Sequence, residues 1–157
     1  MKIIIATDGS TFSEAAIKEC CEIIIDPGRA EIKIVSAYQA VIPFNVHSPG
    51  VAYSTAFDEV MKKQAEQAVF DGEQMVRTAF PDSGIKINGE VLVGAVDNQI
   101  VEAAESWDAD LIVVGSHGRG FWGRVMLGSI SDSLVHHAPC SVLVVRKRKE
   151  NEERVKS

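Results

Sequence analysis

The chain has 157 residues, of which 46% are hydrophobic and 24% are charged, and its mean hydropathy is close to zero, at +0.06. This composition is typical of a single globular domain with a full hydrophobic core, and it excludes fibrous and disordered classes. The net charge of −6 and the pI of about 5.2 exclude non-specific nucleic-acid binding, which requires a basic face.

The N-terminus and the cysteines predict a cytoplasmic chain that does not associate with membranes. The opening MKIIIATDGS has too short an apolar run for a signal peptide, and no run in the chain approaches the ~20 residues of a membrane span. The three cysteines include the adjacent pair Cys20 and Cys21. A disulfide framework is therefore not expected.

The first half of the chain predicts a strand, a helix, a second strand and a long helix. The β-branched run Lys2–Thr7 predicts a buried strand, and apolar residues at helical spacing from Ser13 predict a helix that ends at Pro27-Gly28. A second strand is predicted at Ile32–Tyr38. Residues 41–54 contain two prolines and no clear period, so they predict a long loop of functional or mobile character. A helix then runs from about Thr55 to Phe80.

The second half continues the alternation and ends in a charged tail at residues 147–157. Its predicted elements are a strand at Ile85–Val93, a helix capped by Asp97 that extends through Ser106, a strand at Asp110–Val114, a helix from about Ser129 to His136, and a strand at Ser141–Arg146. Strands this apolar need cover on both faces. Residues 1–146 are therefore predicted to form one α/β domain, an open doubly wound five-stranded parallel sheet with helices on both faces.

The glycine-rich segment GSHGRGFWGRVMLGSIS, residues 115–131, partly fits two well-known phosphate-loop patterns. Residues 118–123 spell GxGxxG, but the dinucleotide fingerprint follows a first strand and needs an acidic residue ~20 positions later, where this chain has the apolar strand around Leu143. Residues 123–129 have the glycines and the hydroxyl of a P-loop but lack its lysine, which contacts the β- and γ-phosphates. Neither pattern therefore predicts the site.

A wider spacing, Gly115-x2-Gly118-x9-Gly128-Ser129, fits better. Gly115 and Gly118 would let a backbone turn approach a ligand without a Cβ. Gly128 and Ser129 would present backbone N–H groups and a hydroxyl at the start of the last helix, which is a ready site for an anion. This spacing, with the preceding DADLIVVGSHGRG, the following APCSVLVV and the opening IIIATDGS, closely resembles the universal stress protein family over residues 1–146.

The resemblance implies the branch of the family that binds ATP. Ala6, Thr7 and Asp8 would hold adenosine, and Ala37, at the end of the second strand, would contact adenine through its backbone. Val114 would lie beside the base, while Gly115, Ser116, His117, Gly118 and Arg119 would surround the ribose and phosphates. Gly128, Ser129, Ile130 and Ser131 would bind phosphate. Asp8 could help to hold Mg²⁺ that accompanies ATP, although a cap on the first helix is an alternative role for its side chain.

The sheet itself predicts the same location. In an open α/β sheet, ligands bind at the carboxyl ends of the strands where the strand order reverses. The order 3-2-1-4-5 places that point between the strands that end near Asp8 and Gly115. The apolar last strand, Ser141–Arg146, would be an association hazard if its edge stayed bare, so we expect a homodimer through this strand, as the resemblance also implies.

The leading functional prediction is an ATP-binding regulatory protein of the stress response, which acts through nucleotide-dependent conformation or choice of an unknown protein partner. The HxGH and SGGxDS motifs of nucleotidyl-transferring relatives are absent from the sequence, as is the P-loop lysine. A dedicated enzyme is therefore not expected, and at most weak ATP hydrolysis. Two alternatives remain, namely a dimeric interaction module that needs no nucleotide, and a slow ATPase or phosphotransferase. His136 and His137 lack partners at metal-ligand spacing, so no zinc site is predicted.

Overall fold

The computed structural model describes residues 1–24, 26–40, 50–118 and 127–147, without the side chains of residues 50–55. Strands and helices alternate along these residues. The strands are β1 (Lys2–Ala6), β2 (Glu31–Tyr38), β3 (Lys86–Val93), β4 (Leu111–Gly115) and β5 (Ser141–Val145). The helices are α1 (Thr11–Ile23), α2 (Gly50–Ala79), α3 (Val96–Trp107) and α4 (Ser129–His137), and one turn of 3-10 helix covers Pro27–Arg29.

The five strands form one parallel sheet in the order β3-β2-β1-β4-β5, which confirms the predicted fold class and strand order. β1 is central, and its Ile3 pairs with Ile32 of β2 on one side and with Leu111 of β4 on the other. The chain moves outward from β1 to β3, then returns to β4 on the opposite side. The strand order therefore reverses between β1 and β4, and the carboxyl ends of these two strands flank a crevice.

Alternation along the strands builds a core on each face of the sheet. Ile3 and Ile5 pack with α1 and α2 residues such as Ile17 and Val76, whereas Ile4 packs with α3 and α4 on the opposite face. All three isoleucines of β1 have 0% exposure. Each such side chain contributes about 1.5–3 kcal/mol of burial free energy, so the central strand is the rigid base from which the β1 carboxyl end projects.

Helix α2 begins at Gly50, five residues before the predicted start at Thr55, so the loop prediction is wrong for residues 50–54; residues 41–49 lie outside the described residues. At 1.5 Å per residue the 30 residues of α2 span about 45 Å, longer than the roughly 26 Å of β2. Residues 50–54, GVAYS, show no clear helical period of apolar residues, so the sequence pattern could not detect this start. None of the helices in the described part of the chain, α2 included, combines the length and apolar character of a membrane span.

The predicted cap of α3 by Asp97 is wrong, and Asp8, whose alternative role was a cap of α1, does not cap that helix. α1 is capped by Ser10, whose Oγ accepts from the Ser13 N–H at 3.3 Å, while Asp8 accepts from the Ser10 N–H in a tight turn before the helix. α3 begins after Ala95, which makes no side-chain cap, and Asp97 lies within its first turn. The Asp97 carboxylate accepts from Ser133 of α4 and from the backbone N–H groups of Asn98 and Asp97. The last strand also ends one residue before the predicted Arg146, at Val145.

The three cysteines are thiols in three different surroundings. Cys20 is fully buried against the sheet, and this burial, with a smaller effect from Cys21, raises the pKa of its thiol to about 12. Burial also raises the pKa values of Cys21 and Cys140. Cys20 therefore acts as a small apolar core side chain.

Candidate functional site

A cavity of about 350 Å³ opens at the carboxyl ends of β1 and β4, where the strand order reverses. Its volume falls in the range of about 300–1,000 Å³ that is usual for small-molecule sites. The cavity is lined by Ala6, Thr7, Asp8, Ser13, Val35, Ala37, Val96, Ile100, Val114, Gly115, His117, Gly118, Gly128, Ser129, Ile130 and Ser131. One crevice thus collects residues from β1, β2, β4 and the starts of α1, α3 and α4.

Most of the residues implied by the sequence resemblance line this cavity. They are Ala6, Thr7 and Asp8 from the end of β1, Ala37 from β2, Val114, Gly115, His117 and Gly118 from the end of β4, and Gly128, Ser129, Ile130 and Ser131 from the start of α4. Ser116 is not among the lining residues, although it lies between two of them in the chain. Arg119 lies outside the described residues.

One side of the cavity is apolar. Val35, Val114 and Ile100 belong to the core between the sheet and helices α3 and α4, and each is less than a tenth exposed. Ala37, Val96 and Ile130 pack against the same core. This wall is apolar and uncharged, which suits the base of a ligand such as a nucleotide.

Four further residues line the cavity although no sequence motif points to them, namely Ser13, Val35, Val96 and Ile100. Two simple periodicities would have found three of them. Val35 stands two residues before Ala37, so strand alternation places both on one face of the sheet. Val96 and Ile100 are four residues apart on α3, so they share a helix face.

The turn from β1 to α1 forms part of the polar side. Thr7 Oγ1 donates to Ser13 Oγ at 3.1 Å, and Ser13 Oγ donates to the Ser10 carbonyl at 2.9 Å. Thr7 and Ser13 are 6% and 3% exposed, so these buried hydroxyls are satisfied within the turn. Gly9 has a φ of +72°, a conformation that favours glycine, and its N–H donates to Thr7 Oγ1. The turn is therefore a fixed platform for Asp8.

Helix α4 presents its N-terminus to the cavity. Its N-cap is Gly128, which makes no side-chain cap, while the first intrahelical bond runs from the Asp132 N–H to the Gly128 carbonyl at 2.9 Å. The N–H groups of Ser129, Ile130 and Ser131 precede that bond, so the helix offers them no acceptor. Together with the partial positive charge of the helix N-terminus, they form a ready site for an anion.

Ser116 fixes the start of α4 through hydrogen bonds to its backbone carbonyl. Its carbonyl accepts from the Gly128 N–H at 2.8 Å and from Ser131 Oγ at 3.1 Å. Its own N–H donates to the Val145 carbonyl at 2.8 Å, and its Oγ lies 3.0 Å from His117 Nδ1. At 1% exposure, Ser116 is a structural tie between β5, α4 and His117.

The glycines of the wider spacing are explained first by packing within the protein. A Cβ on Gly115 would lie 2.8 Å from the backbone carbon and oxygen of Phe12, so α1, rather than a ligand, occupies the space that the sequence analysis reserved for ligand approach. A Cβ on Gly128 would lie 3.2 Å from the Ser116 carbonyl oxygen. These two glycines let α1 and α4 approach the end of β4 closely.

Comparisons with known proteins agree on one family. The model of the universal stress protein family matches residues 1–146. The universal stress protein MJ0531 of Methanocaldococcus jannaschii is 33% identical over 149 residues, which are 95% of this chain and 84% of that protein. The universal stress protein UspA from Lactobacillus plantarum is a solved structure similar to this one, with a TM-score of 0.73, 26% identity and coverage of 93% and 97% of the two chains.

Two further solved structures of similar fold contain nucleotides. A family protein from Arabidopsis thaliana with AMP bound has a TM-score of 0.67 and 18% identity, and it covers 94% of this chain and 92% of its own. A universal stress protein in complex with cAMP has a TM-score of 0.64 and 23% identity, and it covers 92% and 96%. At these identities the likeness concerns the fold.

Proposed function

The chain belongs to the universal stress protein family, and on this basis we propose that it is a regulatory protein that binds an adenine nucleotide, with ATP as the expected ligand. The proposed site is the cavity at the carboxyl ends of β1 and β4. Adenine nucleotides are the ligands of the two nucleotide-bound structures of similar fold, one with AMP and one with cAMP.

The observation that carries the proposal is the position of the α4 N-terminus beside an apolar wall. The backbone N–H groups of Ser129, Ile130 and Ser131 offer three donors to phosphate oxygens, and their helix adds a favourable dipole. The wall formed by Val35, Ala37 and neighbouring side chains would hold the base. A nucleotide needs both surfaces within one cavity, whereas inorganic phosphate or an apolar ligand alone would need one of them.

Asp8 would serve Mg²⁺ that arrives with ATP. Among the described residues no group of three His, Cys, Asp or Glu side chains could hold a metal ion. Mg²⁺ usually binds through one or two carboxylates together with substrate phosphates and water, so a single aspartate suffices once phosphates are present. Asp8 lies on the polar side of the cavity, where its Oδ1 accepts from the Ser10 N–H at 3.0 Å.

We further propose that the nucleotide acts as a regulatory ligand rather than as a consumed substrate. The described residues that line the cavity include no lysine that could reach a transferring phosphoryl group. A bound nucleotide would contact both the β1–α1 turn and the start of α4, two parts of the chain that line the same cavity. The position of the turn relative to the helix start would then depend on the bound nucleotide. This change of conformation would determine which protein partner binds.

A homodimer through β5 completes the proposal. β5 is an edge strand of the sheet, and its Val142, Leu143 and Val144 are partly exposed. An exposed apolar edge strand can pair with strands of other chains and cause aggregation. Pairing with the same strand of a second copy covers both edges.

Calorimetric titration of the nucleotide-free protein tests the central proposal. ATP with Mg²⁺, AMP and buffer alone are compared, and the wild type is expected to bind ATP and AMP. Ser129→Pro then removes one N–H from the first position of α4, which proline tolerates because the preceding Gly128 is extended, with φ −63° and ψ 153°. We expect about a tenfold or greater loss of ATP affinity, which is the usual worth of one hydrogen bond to a charged group.

Ser129→Ala is the matched control, because it removes the hydroxyl and keeps the N–H. It should lose clearly less ATP affinity than Ser129→Pro, because the backbone N–H stays in place. No heat with any nucleotide would refute nucleotide binding and favour an interaction module that needs none. Equal losses in Ser129→Pro and Ser129→Ala would show that the helix N–H is not the phosphate contact.

A further inference from the structure

We propose that the hydrogen bond between Ser133 of α4 and Asp97 of α3, which lies outside the cavity, sets the distance between the base-binding wall and the phosphate-binding helix start. Both are positioning residues rather than ligand contacts, since neither lines the cavity. The inference rests on the proposed function, and it adds a determinant of which ligands can span the site.

The two helices carry opposite parts of the cavity. α3 contributes Val96 and Ile100 to the apolar wall, and α4 contributes Ser129, Ile130 and Ser131 to the phosphate side. Asp97 follows Val96 directly, and Ser133 lies one helical turn after Ser129. A bond between Asp97 and Ser133 is therefore placed immediately behind both lining surfaces.

The hydrogen bond between Ser133 and Asp97 is strong and directional. Ser133 Oγ donates to Asp97 Oδ2 at 2.7 Å, which is typical of a hydroxyl that donates to a carboxylate. The bond from Ser133, supported by the Asn98 and Asp97 N–H groups and by nearby His137, holds the pKa of Asp97 below its ordinary value. Asp97 is thus an ionised acceptor at neutral pH.

Apolar packing alone would leave this distance poorly defined. Ile100 and Ala104 of α3 and Leu134 of α4 belong to this core and contribute apolar side chains. Contacts between such side chains resist separation of the helices but are non-directional, so they tolerate small slides. The hydrogen bond opposes a slide, because a shift of about 1 Å would carry the two oxygens beyond hydrogen-bond distance.

A ligand that spans the cavity senses this spacing, whereas a ligand that occupies one end does not. ATP would contact both the base wall and the α4 start. Adenosine would occupy the base end, and inorganic tripolyphosphate would occupy the phosphate end. Loss of the Asp97–Ser133 bond should therefore weaken ATP selectively, because each half of the site stays intact while their separation becomes variable.

The test is a set of titrations with ATP, adenosine and tripolyphosphate on wild type, Ser133→Ala, Ser133→Thr and Asp97→Asn. Ser133→Ala should lose about tenfold in ATP affinity while adenosine and tripolyphosphate change by less than about twofold. Ser133→Thr keeps the hydroxyl and should recover most of the ATP affinity. Asp97→Asn keeps an acceptor oxygen without the charge and should fall between them.

Ser106→Ala is the matched control on α3. Its hydroxyl donates to the Ala103 carbonyl of the same helix at 3.3 Å, so its removal leaves the α3–α4 spacing unchanged and all three affinities should stay at wild-type values. ATP affinity unchanged in Ser133→Ala, or all three ligands weakened equally, would overturn the inference. A wild type that binds none of the three would instead refute the proposed function, and with it the role of this pair.

Discussion

Gly118 faces the carboxylate of Asp8 so closely that a Cβ built on this glycine would lie 2.9 Å from Asp8 Oδ2. The two residues belong to different loops, one after β4 and one after β1, and both line the cavity. The other carboxylate oxygen of Asp8 accepts from the Ser10 N–H at 3.0 Å. A larger side chain at position 118 would therefore press on a carboxylate that also accepts a hydrogen bond within the β1–α1 turn.

This contact predicts that Gly118→Ala reduces nucleotide affinity with little effect on folding. The added methyl group would displace the Asp8 carboxylate, which is partly exposed and can move into solvent. We expect about a tenfold loss of ATP affinity in the presence of Mg²⁺, and a smaller loss in EDTA if Asp8 serves the metal. Calorimetric titration with and without Mg²⁺ measures both values.

Gly28→Ala is a suitable control for Gly118→Ala. A Cβ at Gly28 would lie 3.5 Å from Asp26 Oδ1, an ordinary van der Waals contact far from the cavity. This variant should bind ATP as the wild type does. Full affinity in Gly118→Ala would contradict the role assigned to the contact with Asp8.

Gly115→Ala should lower the stability of the fold, in addition to any effect on nucleotide binding. Here the new Cβ would lie 2.8 Å from backbone atoms of Phe12, and a helix backbone cannot rotate aside as a side chain can. Overpacking of this kind costs about 1–3 kcal/mol, so the urea midpoint should fall accordingly. Equilibrium unfolding followed by circular dichroism is the measurement. A midpoint equal to that of Gly28→Ala would show that α1 can shift to accommodate the methyl group.

The sheet could be predicted from the sequence because its inner strands β1 and β4 are short β-branched runs that are buried on both faces. Ile3, Ile4 and Ile5 show this directly, since all three have 0% exposure in the structure. A run of this kind requires helices on both sides, and the alternation of elements then leaves few arrangements. The start of α2 escaped prediction because residues 50–54 carry no clear apolar period.

The candidate site was harder to predict, for reasons visible at individual residues. Ser13 lines the cavity, and its hydroxyl accepts a hydrogen bond from the Thr7 hydroxyl. This contact depends on the fold of the turn, so no periodic sequence pattern predicts it. Gly115 was assigned to ligand approach, yet the space beside it is filled by Phe12. The sequence predicts a cap at Asp97, whereas the structure shows its carboxylate as the acceptor of a hydrogen bond from Ser133 of another helix. Local patterns identify residues near a site, but partners distant in sequence decide what each residue does.

The Asp97–Ser133 bond predicts a pH dependence of stability with a definite sign. The pKa of Asp97 is lowered in the folded protein, chiefly by the hydrogen bond from Ser133, from an ordinary value of 3.8. Its contribution to the free energy of unfolding is therefore present above pH 3.8 and is lost as the pH falls below that value towards the lower folded pKa. The difference between wild type and Ser133→Ala should be roughly 1 kcal/mol near neutral pH and should shrink in this acidic window.

Urea midpoints measured from pH 6 down to about pH 2.5 test this prediction. Glu31 also has a lowered pKa, through its hydrogen bond with Lys86, but it is present in both proteins and cancels in the difference. A difference that stays constant over the whole range would mean that the Ser133 hydroxyl stabilises the fold without favouring the ionised form of Asp97.

The proposed dimer can be tested at one backbone N–H. Ser116 donates to the Val145 carbonyl at 2.8 Å, so Val145 turns its backbone groups towards β4. In a parallel ladder alternate residues face the same neighbour, and the N–H of Val144 therefore points away from β4, to the outer edge of the sheet that the described residues form. Val144→Pro removes this outward N–H and leaves the β4–β5 ladder its donors, a position at which sheets tolerate proline.

We expect the wild type to be a dimer and Val144→Pro to be a monomer or an aggregate, because edge pairing between two copies of β5 needs that donor. Val144→Thr keeps the N–H and the β-branched shape, so it should remain a dimer. Light scattering across a concentration series gives the mass of each species, and circular dichroism establishes that the variant keeps its fold. If folded Val144→Pro keeps the dimer mass, the β5 edges do not pair, and the two copies must associate through another surface.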